Sequence, residues 1–520
     1  MTDQPYDVAI VGYGPTGVTA ANLLGQAGLK VVVIEREPSI YARARAISTD
    51  EEVVRIWQQV GLADRLKEDM LTERPIDFVD AHNKTMVSFA APVRGHGHPP
   101  QMFIYQPALE QVLRDGVDRF PNVEVMLERE VVKVRQDAAG VELMVADNTS
   151  DTFVRVHAKY VIAADGGSSG IRGLLGVGYA GKTYEDKWVV IDTKVLKSWP
   201  DVDRLRFHCN PLRPAVDCPT PLDHHRWEFP VLPGEDASKL TTDDNVWKLL
   251  DWQGVTRDHV DVLRAVVYSH HVRFADRWRV GRIFLAGDAA HAMPPWIGQG
   301  MAAGVRDAAN LCWKLAAVVK GELPDSVLDS YQTERMPHVR DITDKAVFVG
   351  KIITERNPTL TTLRNPALRI LNVLPVVGKR FKDGNWVPEA HYPDGFFDTD
   401  KAGATGWKTI QPWVLDSEGT RRRLDDVLGS QWTVLYRTRT GGIDAWTKAG
   451  AQLVQLVPGG SNPESDRIVD IDNTLIKWMK TKGATAIAIR PDGFVYSAAG
   501  DGSPLPPPPA GLRASALSPA

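Results

Sequence analysis

Short apolar runs and helical patterns alternate at the start of the chain. Asp7–Val11 and Lys30–Ile34 are apolar runs typical of parallel strands that are buried on both faces. Between them, Thr16–Ala27 has small and apolar residues at helical spacing and ends at Gly28, a typical C-terminal glycine. This order predicts a β-α-β unit, followed by a second helix over Glu51–Val60.

The middle of the chain changes from helical periodicity to alternation. Residues 74–100 predict strands and loops, and Gln106–Phe120 predicts a helix. Residues 185–275 are rich in Trp, His and Pro and alternate apolar with polar positions, which favours an antiparallel sheet. Tyr160–Ala164 and Ile283–Ala286 predict buried strands on either side of that segment.

Helical spacing returns near residue 300. Val305–Lys320 predicts an amphipathic helix, and Asp325–Phe348 predicts a second one that is interrupted near Pro337. Residues 357–400 are rich in Pro and Gly and form a candidate domain boundary. A smaller α/β pattern follows, with strands at Thr433–Tyr436, Ala451–Val457 and Ala486–Arg490 and a helix at Asn473–Lys482. The tail from Pro504 is polyproline-like.

Composition and charge narrow the class of protein. Lys and Arg total 61 and Asp and Glu total 65, so the net charge is −4, and we expect neither nucleic acid nor an anionic membrane as a partner. No apolar run reaches the ~18 residues of a spanning helix, and the polar, acidic start does not resemble a secretory signal. Cys209, Cys218 and Cys312 form no C-x-x-C, so we expect a reduced, cytoplasmic protein.

The first loop carries a phosphate-binding pattern. Residues 12–17 match G-x-G-x-x-G between a strand and a helix, and Glu35 ends the next strand 18 residues after the last glycine. The first glycine permits a tight turn, the second lets backbone approach a pyrophosphate, and the third permits close helix–strand packing. Glu35 would accept hydrogen bonds from ribose hydroxyls. The predicted dinucleotide-binding residues of this unit are Gly12, Gly14, Pro15, Thr16, Gly17, Glu35 and Arg36.

A second G-x-G-x-x-G, at residues 176–181, lacks that context. A helical stretch, Gly170–Leu175, precedes it, and a predicted strand, Trp188–Asp192, follows it. This order is the reverse of that in a phosphate-binding loop. We therefore expect one dinucleotide site rather than two.

Two further motifs extend the pattern. Residues 164–172 are ADGGSSGIR, and residues 287–301 are GDAAHAMPPWIGQGM. With the first loop, they resemble the three signatures of the group A FAD-dependent aromatic hydroxylases, the superfamily of phenol hydroxylase and p-hydroxybenzoate hydroxylase. The resemblance covers residues 6–345 in order, and stretches such as residues 104–107 (IYQP) are similar to the 3-(3-hydroxyphenyl)propionate hydroxylase branch.

The resemblance implies a monooxygenase that uses FAD, NAD(P)H and O2 to hydroxylate a phenolic aromatic similar to 3-(3-hydroxyphenyl)propionate through a flavin C4a-hydroperoxide. The protein then has to orient the phenol, exclude water and remove the phenolic proton. The resemblance also places the helix that begins near Gly298 at the flavin pyrimidine edge, where negative charge develops. The residues that it adds to the FAD site are Arg45, Gln106, Asp165, Gly287, Asp288, Pro295, Gly298, Gly300 and Met301.

Several of these assignments have a structural alternative. Arg45 could be a surface charge, Gln106 a polar residue at a helix start, and Asp165 with Arg172 a strand-end turn with a surface ion pair. The family often has Asn two residues after G-Q-G, whereas this chain has Ala302. That departure removes a side-chain contact to the flavin.

Removing the phenolic proton near neutral pH requires a base, and histidine suits that role. The candidate histidines are His208, His224, His225, His270 and His271, and alternation places Tyr268 on the face of His270. Trp296 follows a Pro-Pro pair beside the presumed flavin, where an aromatic wall suits a planar ligand. The predicted catalytic residues are His208, His225, Tyr268 and Trp296, each of which also has a purely structural interpretation.

The cysteines and histidines of the middle segment do not predict a metal site. Cys209 and Cys218 are separated by eight residues, and the tandem histidines at 224 and 225 fit no zinc-ligand spacing. A carboxylated substrate would favour an arginine, for which Arg213 and Arg226 are candidates.

The predicted fold class is α/β with α+β elements. It comprises a Rossmann-like FAD-binding domain with an inserted, mostly antiparallel substrate-domain sheet, and a C-terminal thioredoxin-like domain that lacks C-x-x-C and hence thiol chemistry. The FAD-binding domain is expected at residues 1–80, 101–182 and 277–395, the last of which includes a helical segment. The substrate domain is expected at residues 81–100 and 183–276. The thioredoxin-like domain is expected at residues 400–505, followed by a Pro-rich tail at residues 506–520.

Two other functions share this scaffold. One is an FAD oxidoreductase that acts on another aromatic or polycyclic phenol, although the W-x-W-x-I-P of a halogenase is absent. The other is a catalytically silent flavin-binding protein, which Ala302 would favour. A homodimer is a candidate assembly by analogy with the fold.

Overall fold

The computed structural model describes residues 5–41, 45–373, 389–399 and 403–512. The end of the predicted tail, from residue 513, and part of the predicted boundary segment, residues 374–388, lie outside the described residues. Within them, three large β-sheets carry the helices and the apolar cores. The described part of the chain contains no helix that is long and apolar enough to cross a membrane.

The α-helices of the described residues are, in chain order, α1 Pro15–Gln26, α2 Glu51–Gln59, α3 Ala63–Glu68, α4 Gln106–Val117, α5 Gly170–Leu174, α6 Asp243–Asp251, α7 Gly300–Val319, α8 Ser330–Thr354, α9 Pro358–Val373, α10 Leu424–Leu428, α11 Ile443–Lys448 and α12 Thr474–Thr481.

The strands fall into three groups along the chain. The first is β1 Tyr6–Val11, β2 Val31–Ile34, β3 Ser48–Asp50, β4 Leu71–Thr72, β5 Ile76–Val79, β6 Thr85–Phe89, β7 Gln101–Phe103, β8 Val123–Met126, β9 Arg129–Gln136, β10 Val141–Asp147 and β11 Phe153–Ala163. The second is β12 Tyr179–Val195, β13 Leu205–His208, β14 Ala215–Thr220, β15 His224–Pro230, β16 Val260–Ala275, β17 Arg279–Val280, β18 Ile283–Leu285 and β19 His291–Ala292. The third is β20 Trp413–Leu415, β21 Arg421–Arg423, β22 Thr433–Tyr436, β23 Gln452–Pro458, β24 Arg467–Asp470, β25 Ala486–Ile489 and β26 Val495–Ala499.

The first sheet contains the predicted β-α-β unit, β1-α1-β2. Its strands run in the order β17-β18-β11-β1-β2-β8, and all neighbours from β18 to β8 are parallel. β9 and β10 extend it from β11 by antiparallel pairing. Because the carboxyl ends of parallel strands meet at one edge, Gly12, Glu35, Ala164 and Gly287 follow their strands at the same edge. The three sequence motifs, at residues 12–17, 164–172 and 287–301, therefore lie at this edge of the sheet.

The second sheet runs in the order β19-β16-β12-β15-β14-β13-β5-β6. Its described pairs are antiparallel except β13 with β5, which are parallel. β5 lies on the first-domain side of the boundary expected at residue 80, but it pairs in this sheet. β12 likewise begins at Tyr179, before the expected boundary at residue 182, because its first residues, from Tyr179 onward, already pair with β16.

A close approach between β12 and β16 accounts for one glycine of the second G-x-G-x-x-G pattern. Gly181 has a φ of +150°, and a Cβ at this position would overlap the carbonyl group of Val272. The glycine therefore permits strand pairing.

α8 continues through Pro337, so the predicted interruption there is wrong. Proline inside a helix costs about 3 kcal/mol because it removes a hydrogen bond and crowds the preceding turn. Glu334, Arg335 and His338 lie around it and are buried. Tertiary contacts of this buried face therefore outweigh the local preference.

The third sheet forms the predicted C-terminal domain. Its strand order is β21-β20-β24-β23-β22-β25-β26, with parallel pairing of β22, β23 and β24 and antiparallel pairing elsewhere. β22 coincides with the predicted strand Thr433–Tyr436. The three cysteines of the chain lie outside this domain and are buried, unpaired thiols.

A buried cluster of charges joins the C-terminal domain to α7 and α8. The Glu334 carboxylate accepts hydrogen bonds from both terminal nitrogens of Arg490, at 2.9 and 3.0 Å, and from Lys314 Nζ at 2.9 Å. All three side chains are fully buried. Burial alone would raise the pKa of Glu334, but the two cations lower it to about 2. Glu334 thus stays ionised and requires its partners.

We predict that Arg490→Ala will destabilise the whole protein. Arg490 pairs with both Glu334 and Asp492, so the substitution removes one cation from two buried carboxylates. Breaking a buried ion pair in this way costs ~3–5 kcal/mol. Urea unfolding of the holoprotein measures the loss. Arg439→Ala, which removes an exposed ion pair with Asp444, is the matched control and should leave the midpoint unchanged. Equal midpoints for the two variants would contradict the structural role of Arg490.

Candidate active site

The first loop is shaped by three glycines with different surroundings. Gly12 has a φ of +100°, and a Cβ there would overlap the Ala164 carbonyl at the end of β11. A Cβ on Gly17 would overlap the carbonyl of Gly12. Gly14 has nothing within 4 Å of the position of its missing Cβ. Two glycines therefore permit internal packing, and the third leaves open backbone at the start of α1.

Glu35 holds the first loop from the end of β2. Its carboxylate accepts hydrogen bonds from the backbone N–H of Tyr13 at 2.7 Å and of Glu37 at 2.9 Å. Arg36 points into solvent beside Glu37. Pro15 is the first residue of α1, where its missing N–H is not needed.

Thr16 joins the first loop to the third motif. A Cβ on Gly287 would lie 2.6 Å from Thr16 Oγ1, and one on Gly304 would overlap the same atom. α7 and the turn after β18 can therefore approach α1 only because both positions are glycine. The buried Asp307 carboxylate fixes this turn, since it accepts hydrogen bonds from the backbone N–H of Gly287 at 3.0 Å and from His291 Nε2 at 2.6 Å.

Asp288 presents its carboxylate at this turn. The side chain is exposed, and it makes no hydrogen bond within the described residues. Its backbone carbonyl accepts a hydrogen bond from Tyr179 Oη at 2.9 Å. The backbone is thus held while the carboxylate stays available to a hydroxyl group.

The loop before α7 is built by Pro295, Gly298 and Gly300. Gly298 has a φ of +65°, and a Cβ there would overlap the Ser48 hydroxyl. Gly300 and Met301 open α7, whose first turn is capped by no side chain of the described residues. Its N–H groups therefore remain available to negative charge. Ala302 is fully buried in the first core, so its side chain points away from the open end of the helix.

Gln106 and Arg45 have different surroundings. The buried Gln106 side chain accepts hydrogen bonds from the backbone N–H of Arg45 at 2.8 Å and of Ala46 at 2.7 Å, and it donates one to Glu110 at 2.7 Å. The Arg45 side chain is exposed and lies over the ring of Tyr41. Gln106 therefore positions the backbone that presents Arg45.

The second motif, residues 164–172, is hydrogen-bonded to the third motif, residues 287–301. Asp165 accepts hydrogen bonds from Ser169 Oγ at 2.6 Å and from the Ile171 backbone at 3.1 Å, and burial raises the pKa of its carboxyl. Arg172 donates to the carbonyls of Gly167 and Ala289 at 2.8 and 3.0 Å. Asp165 thus holds the turn before α5, whose N-cap is Ser169, and the hydrogen bonds of the Arg172 side chain go to backbone carbonyls rather than to Asp165.

The second sheet has two faces with different chemistry. Cross-strand pairing of Trp188 with Tyr268 and of Val190 with Glu228 places these side chains on one face, which we call the inner face. Trp296, from the loop before α7, packs edge-on against Trp188 with 4.8 Å between ring centroids. The inner face therefore meets the loop that carries Gly298 and Gly300.

A chain of polar groups runs along the inner face. His270 Nε2 lies 3.0 Å from Tyr268 Oη, which donates a hydrogen bond to Glu228 at 3.1 Å. Beside them, Arg226 donates to Asp192 at 2.6 Å and to the Arg45 carbonyl at 2.9 Å. Arg226 is therefore already neutralised by a carboxylate. Arg213 is likewise paired with Glu235.

His208 and His225 do not reach the inner face. Both bind the fully buried Asp217, with Nε2–Oδ distances of 2.6 and 3.0 Å. His225 alternates with His224 and Arg226 along β15, and its ring packs against Trp227 on the opposite face, which we call the outer face. Strand alternation thus separates these two predicted catalytic histidines from Tyr268 and Trp296. They are corrected here to parts of a structural network.

The acid of the inner face escaped sequence reasoning. Glu228 was not among the candidates, although alternation from His224 along β15 places it on the face opposite to His225. The available signal was this alternation. Without the pairing register, alternation does not say which of the two faces meets the loop before α7. Among the described residues, no group of three or more His, Cys, Asp or Glu side chains could hold a metal ion.

Comparisons with known proteins agree with this architecture. The family model of an FAD-binding domain matches residues 5–346, and the model of the HcaD C-terminal domain matches residues 406–504. The chain is similar to the 3-(3-hydroxyphenyl)propionate/3-hydroxycinnamic acid hydroxylase of Burkholderia cenocepacia, with 35% identity over 94% of this chain and 93% of that protein. The enzyme of the same name from Comamonas testosteroni is 32% identical over 95% of this chain and 94% of that protein.

Solved structures show the same fold. The flavin-dependent monooxygenase PieE, in complex with FAD and substrate, superposes with a TM-score of 0.79 at 22% identity, over 95% of this chain and 96% of that one. Aklavinone-11 hydroxylase, in complex with FAD and aklavinone, gives a TM-score of 0.75 at 22% identity over the same shares.

The residues present fit FAD. Open backbone at Gly14 suits a pyrophosphate, Glu35 suits ribose hydroxyls, and the unpartnered Asp288 carboxylate suits a further sugar or ribityl hydroxyl. The uncapped start of α7 suits the electron-rich edge of a flavin. These groups come from three separated segments that meet at one edge of the first sheet.

We predict that Gly14→Ala will weaken FAD binding without weakening the apoprotein. The added Cβ meets no protein atom, and Gly14 has a φ of −75° that any residue adopts, but the methyl group would occupy the approach of the pyrophosphate. We expect the FAD dissociation constant to rise by roughly tenfold or more, which is about 1.4 kcal/mol. Fluorescence titration with FAD and thermal unfolding of the apoprotein measure the two effects. Gly173→Ala on α5, which also has open surroundings, is the control, and equal FAD affinities would contradict the assignment.

We also predict that Asp288→Ala will lower FAD retention. Loss of a hydrogen bond to a charged group costs about 1.5–3 kcal/mol, so the fraction of FAD kept after gel filtration should fall. Asp151→Ala, a substitution of another exposed aspartate, should leave retention unchanged. Unchanged retention in the Asp288 variant would remove this residue from the FAD site.

Proposed function

The chain belongs to the family of FAD-dependent aromatic hydroxylases, and we propose that it uses NAD(P)H and O2 to hydroxylate a phenolic acid similar to 3-(3-hydroxyphenyl)propionate. Relatives that match nearly the full length of this chain carry that substrate in their names. Hydroxylated phenylpropionates and cinnamates are therefore the substrate class proposed for this chain.

One observation carries the substrate class. Trp188, Trp296 and the ring of His270 pack against one another where the inner face meets the loop before α7, with centroid separations of 4.8–5.6 Å. Aromatic walls of this kind suit a flat ring. Tyr268 adds a hydroxyl group to the same surface. A phenol fits this combination better than an aliphatic substrate does.

FAD, when bound, supplies the redox chemistry between NAD(P)H and O2. The chain itself has to bind the phenol, orient its ring and exclude water. Trp188 and Trp296 orient the ring. Trp296 packs edge-on against His270, with 5.2 Å between ring centroids, and this apolar contact would help to exclude water from the inner face.

The FAD contacts remain part of this proposal. The loop of Gly12, Gly14, Pro15, Thr16 and Gly17 would hold the pyrophosphate with the start of α1. Gln106 would act through the backbone of Arg45 and Ala46, and Asp165 through α5. The loop of Pro295, Gly298, Gly300 and Met301 would face the flavin ring.

The proposal keeps two further expectations of the sequence. The cytoplasm is the proposed location, since the three cysteines are buried free thiols that suit a reducing compartment. A homodimer is the proposed assembly, and light scattering of the holoprotein tests it.

We predict that the purified holoprotein will oxidise NAD(P)H faster when a phenolic acid is present. The assay compares 3-(3-hydroxyphenyl)propionate, 3-hydroxycinnamate and phenol with 3-phenylpropionate, which lacks the hydroxyl group and is the matched control. Product and hydrogen peroxide are measured together, because only a true substrate couples NAD(P)H oxidation to hydroxylation. FAD-loaded protein that no phenol stimulates would favour a silent flavin-binding protein, and protein that takes up no FAD would overturn the assignment altogether.

A further inference from the structure

A line of buried polar side chains runs from the C-terminal domain to the loop before α7. Lys408 Nζ lies 3.4 Å from Glu52 Oε1, and Glu52 Oε2 accepts a hydrogen bond from Arg306 Nε at 2.6 Å. Arg306 in turn donates a hydrogen bond to Gln299 Oε1 at 3.1 Å. These four residues are at most 5% exposed. Because water does not screen them, each charge depends on its neighbours in the line.

Asp50 fixes the end of this line that lies at the loop. Its Oδ2 accepts hydrogen bonds from Gln299 Nε2 at 3.0 Å and from Arg306 Nη2 at 2.7 Å. Its Oδ1 accepts two more from backbone N–H groups in the first turn of α2. Gln299 immediately precedes α7 and lies between the two glycines of the loop. Since both ends of its amide are bound, the position of the loop follows the positions of Asp50 and Arg306.

The other end of the line belongs to the C-terminal domain. Lys408 forms an antiparallel β-bridge with Phe494 of that domain, and its Nζ lies 5.2 Å from the centroid of the Phe494 ring. One turn after Glu52 on α2, the fully buried Arg55 donates hydrogen bonds to both carboxylate oxygens of Asp425, at 2.6 and 2.7 Å. The C-terminal domain therefore contacts α2 through charged groups at two successive turns.

The charges of the line balance only when Lys408 is present. Two carboxylates, Asp50 and Glu52, face two cations, Arg306 and Lys408. Burial would raise the pKa of Glu52, but Arg306 and Lys408 hold it well below its usual range, so Glu52 is ionised. The neighbouring Glu51 binds backbone N–H groups instead. Without Lys408, the line would carry an uncompensated negative charge close to the start of α7, where negative charge on a ligand would be opposed.

We propose that Lys408 is a positioning residue for the flavin, and that it acts from the C-terminal domain through Glu52 and Arg306 on the loop before α7. Lys408 neutralises Glu52, which lets Arg306 hold Gln299 as well as the two carboxylates. The inference goes beyond the proposed function, because it gives the C-terminal domain a part in cofactor binding that needs no thiol chemistry. It rests on the assignment of the start of α7 to the flavin ring.

The test compares Lys408→Met with the full-length wild-type protein in two measurements that do not depend on turnover. We expect the FAD dissociation constant, from fluorescence titration, to rise by roughly fivefold or more. The reduction potential of the bound flavin, from equilibration with a reference dye, should fall, because the unpaired Glu52 opposes the negative charge that reduction adds. Lys408→Arg keeps the cation and should keep both values close to those of the wild type. Lys448→Met, at an exposed lysine of the same domain, is the matched control and should change neither value.

A double variant separates the charge of Lys408 from its packing. Glu52→Gln removes the carboxylate that Lys408 neutralises, so Lys408→Met combined with Glu52→Gln restores the charge balance without restoring the lysine. We expect this double variant to recover FAD affinity and flavin potential towards the wild-type values. The positioning role is overturned if Lys408→Met matches the wild type in both values, or if the double variant is no better than the single one. Wild-type protein that takes up no FAD would instead overturn the FAD site itself.

Discussion

The contact between α1, α7 and the turn after β18 is the constraint on which the active site depends. Thr16 fills the space that side chains on Gly287 and Gly304 would need, and Gly17 lies directly over the carbonyl of Gly12. Segments nearly three hundred residues apart therefore meet at backbone contact distance. Only glycine tolerates such contacts. The edge that would hold FAD exists because these positions carry no side chain.

Buried charges keep this edge rigid. Asp307 binds the turn at Gly287 and is itself held by Arg335 Nε at 2.8 Å. One residue earlier on α8, Glu334 binds Arg490 of the C-terminal domain. α7, whose uncapped start would face the flavin, is thus anchored through its contacts with α8. A domain without thiol chemistry consequently acts on the site through packing, since an unpaired buried charge costs several kcal/mol.

The polar residues of the second sheet differ between its two faces: those on the outer face form a buried structural network, and those on the inner face lie near the loop before α7. On the outer face, Asp217 binds His208 and His225 and holds both on the side of the sheet opposite to Tyr268 and Glu228. On the inner face, Tyr268 links two groups from different strands. The same residue types therefore have different functions, and alternation along each strand decides which they have.

The sequence by itself determined the first local elements. Periodicity predicts β1, α1 and β2 within a few residues of their observed bounds, and the glycine spacing with Glu35 predicts a dinucleotide-binding edge, because short-range sterics and burial govern both. The family resemblance of residues 6–345 agrees with the comparisons.

Only the tertiary structure decided what depends on partners distant in sequence. The continuity of α8 through Pro337 follows from packing, which outweighs a local penalty. The parallel pairing of β5 with β13 crosses the expected boundary. The register of β15 against β12 sets His225 outward and Glu228 inward. A one-residue change of register would exchange these faces, and the sequence carries no local signal for it, because strand pairing is fixed by the combined burial of a whole sheet.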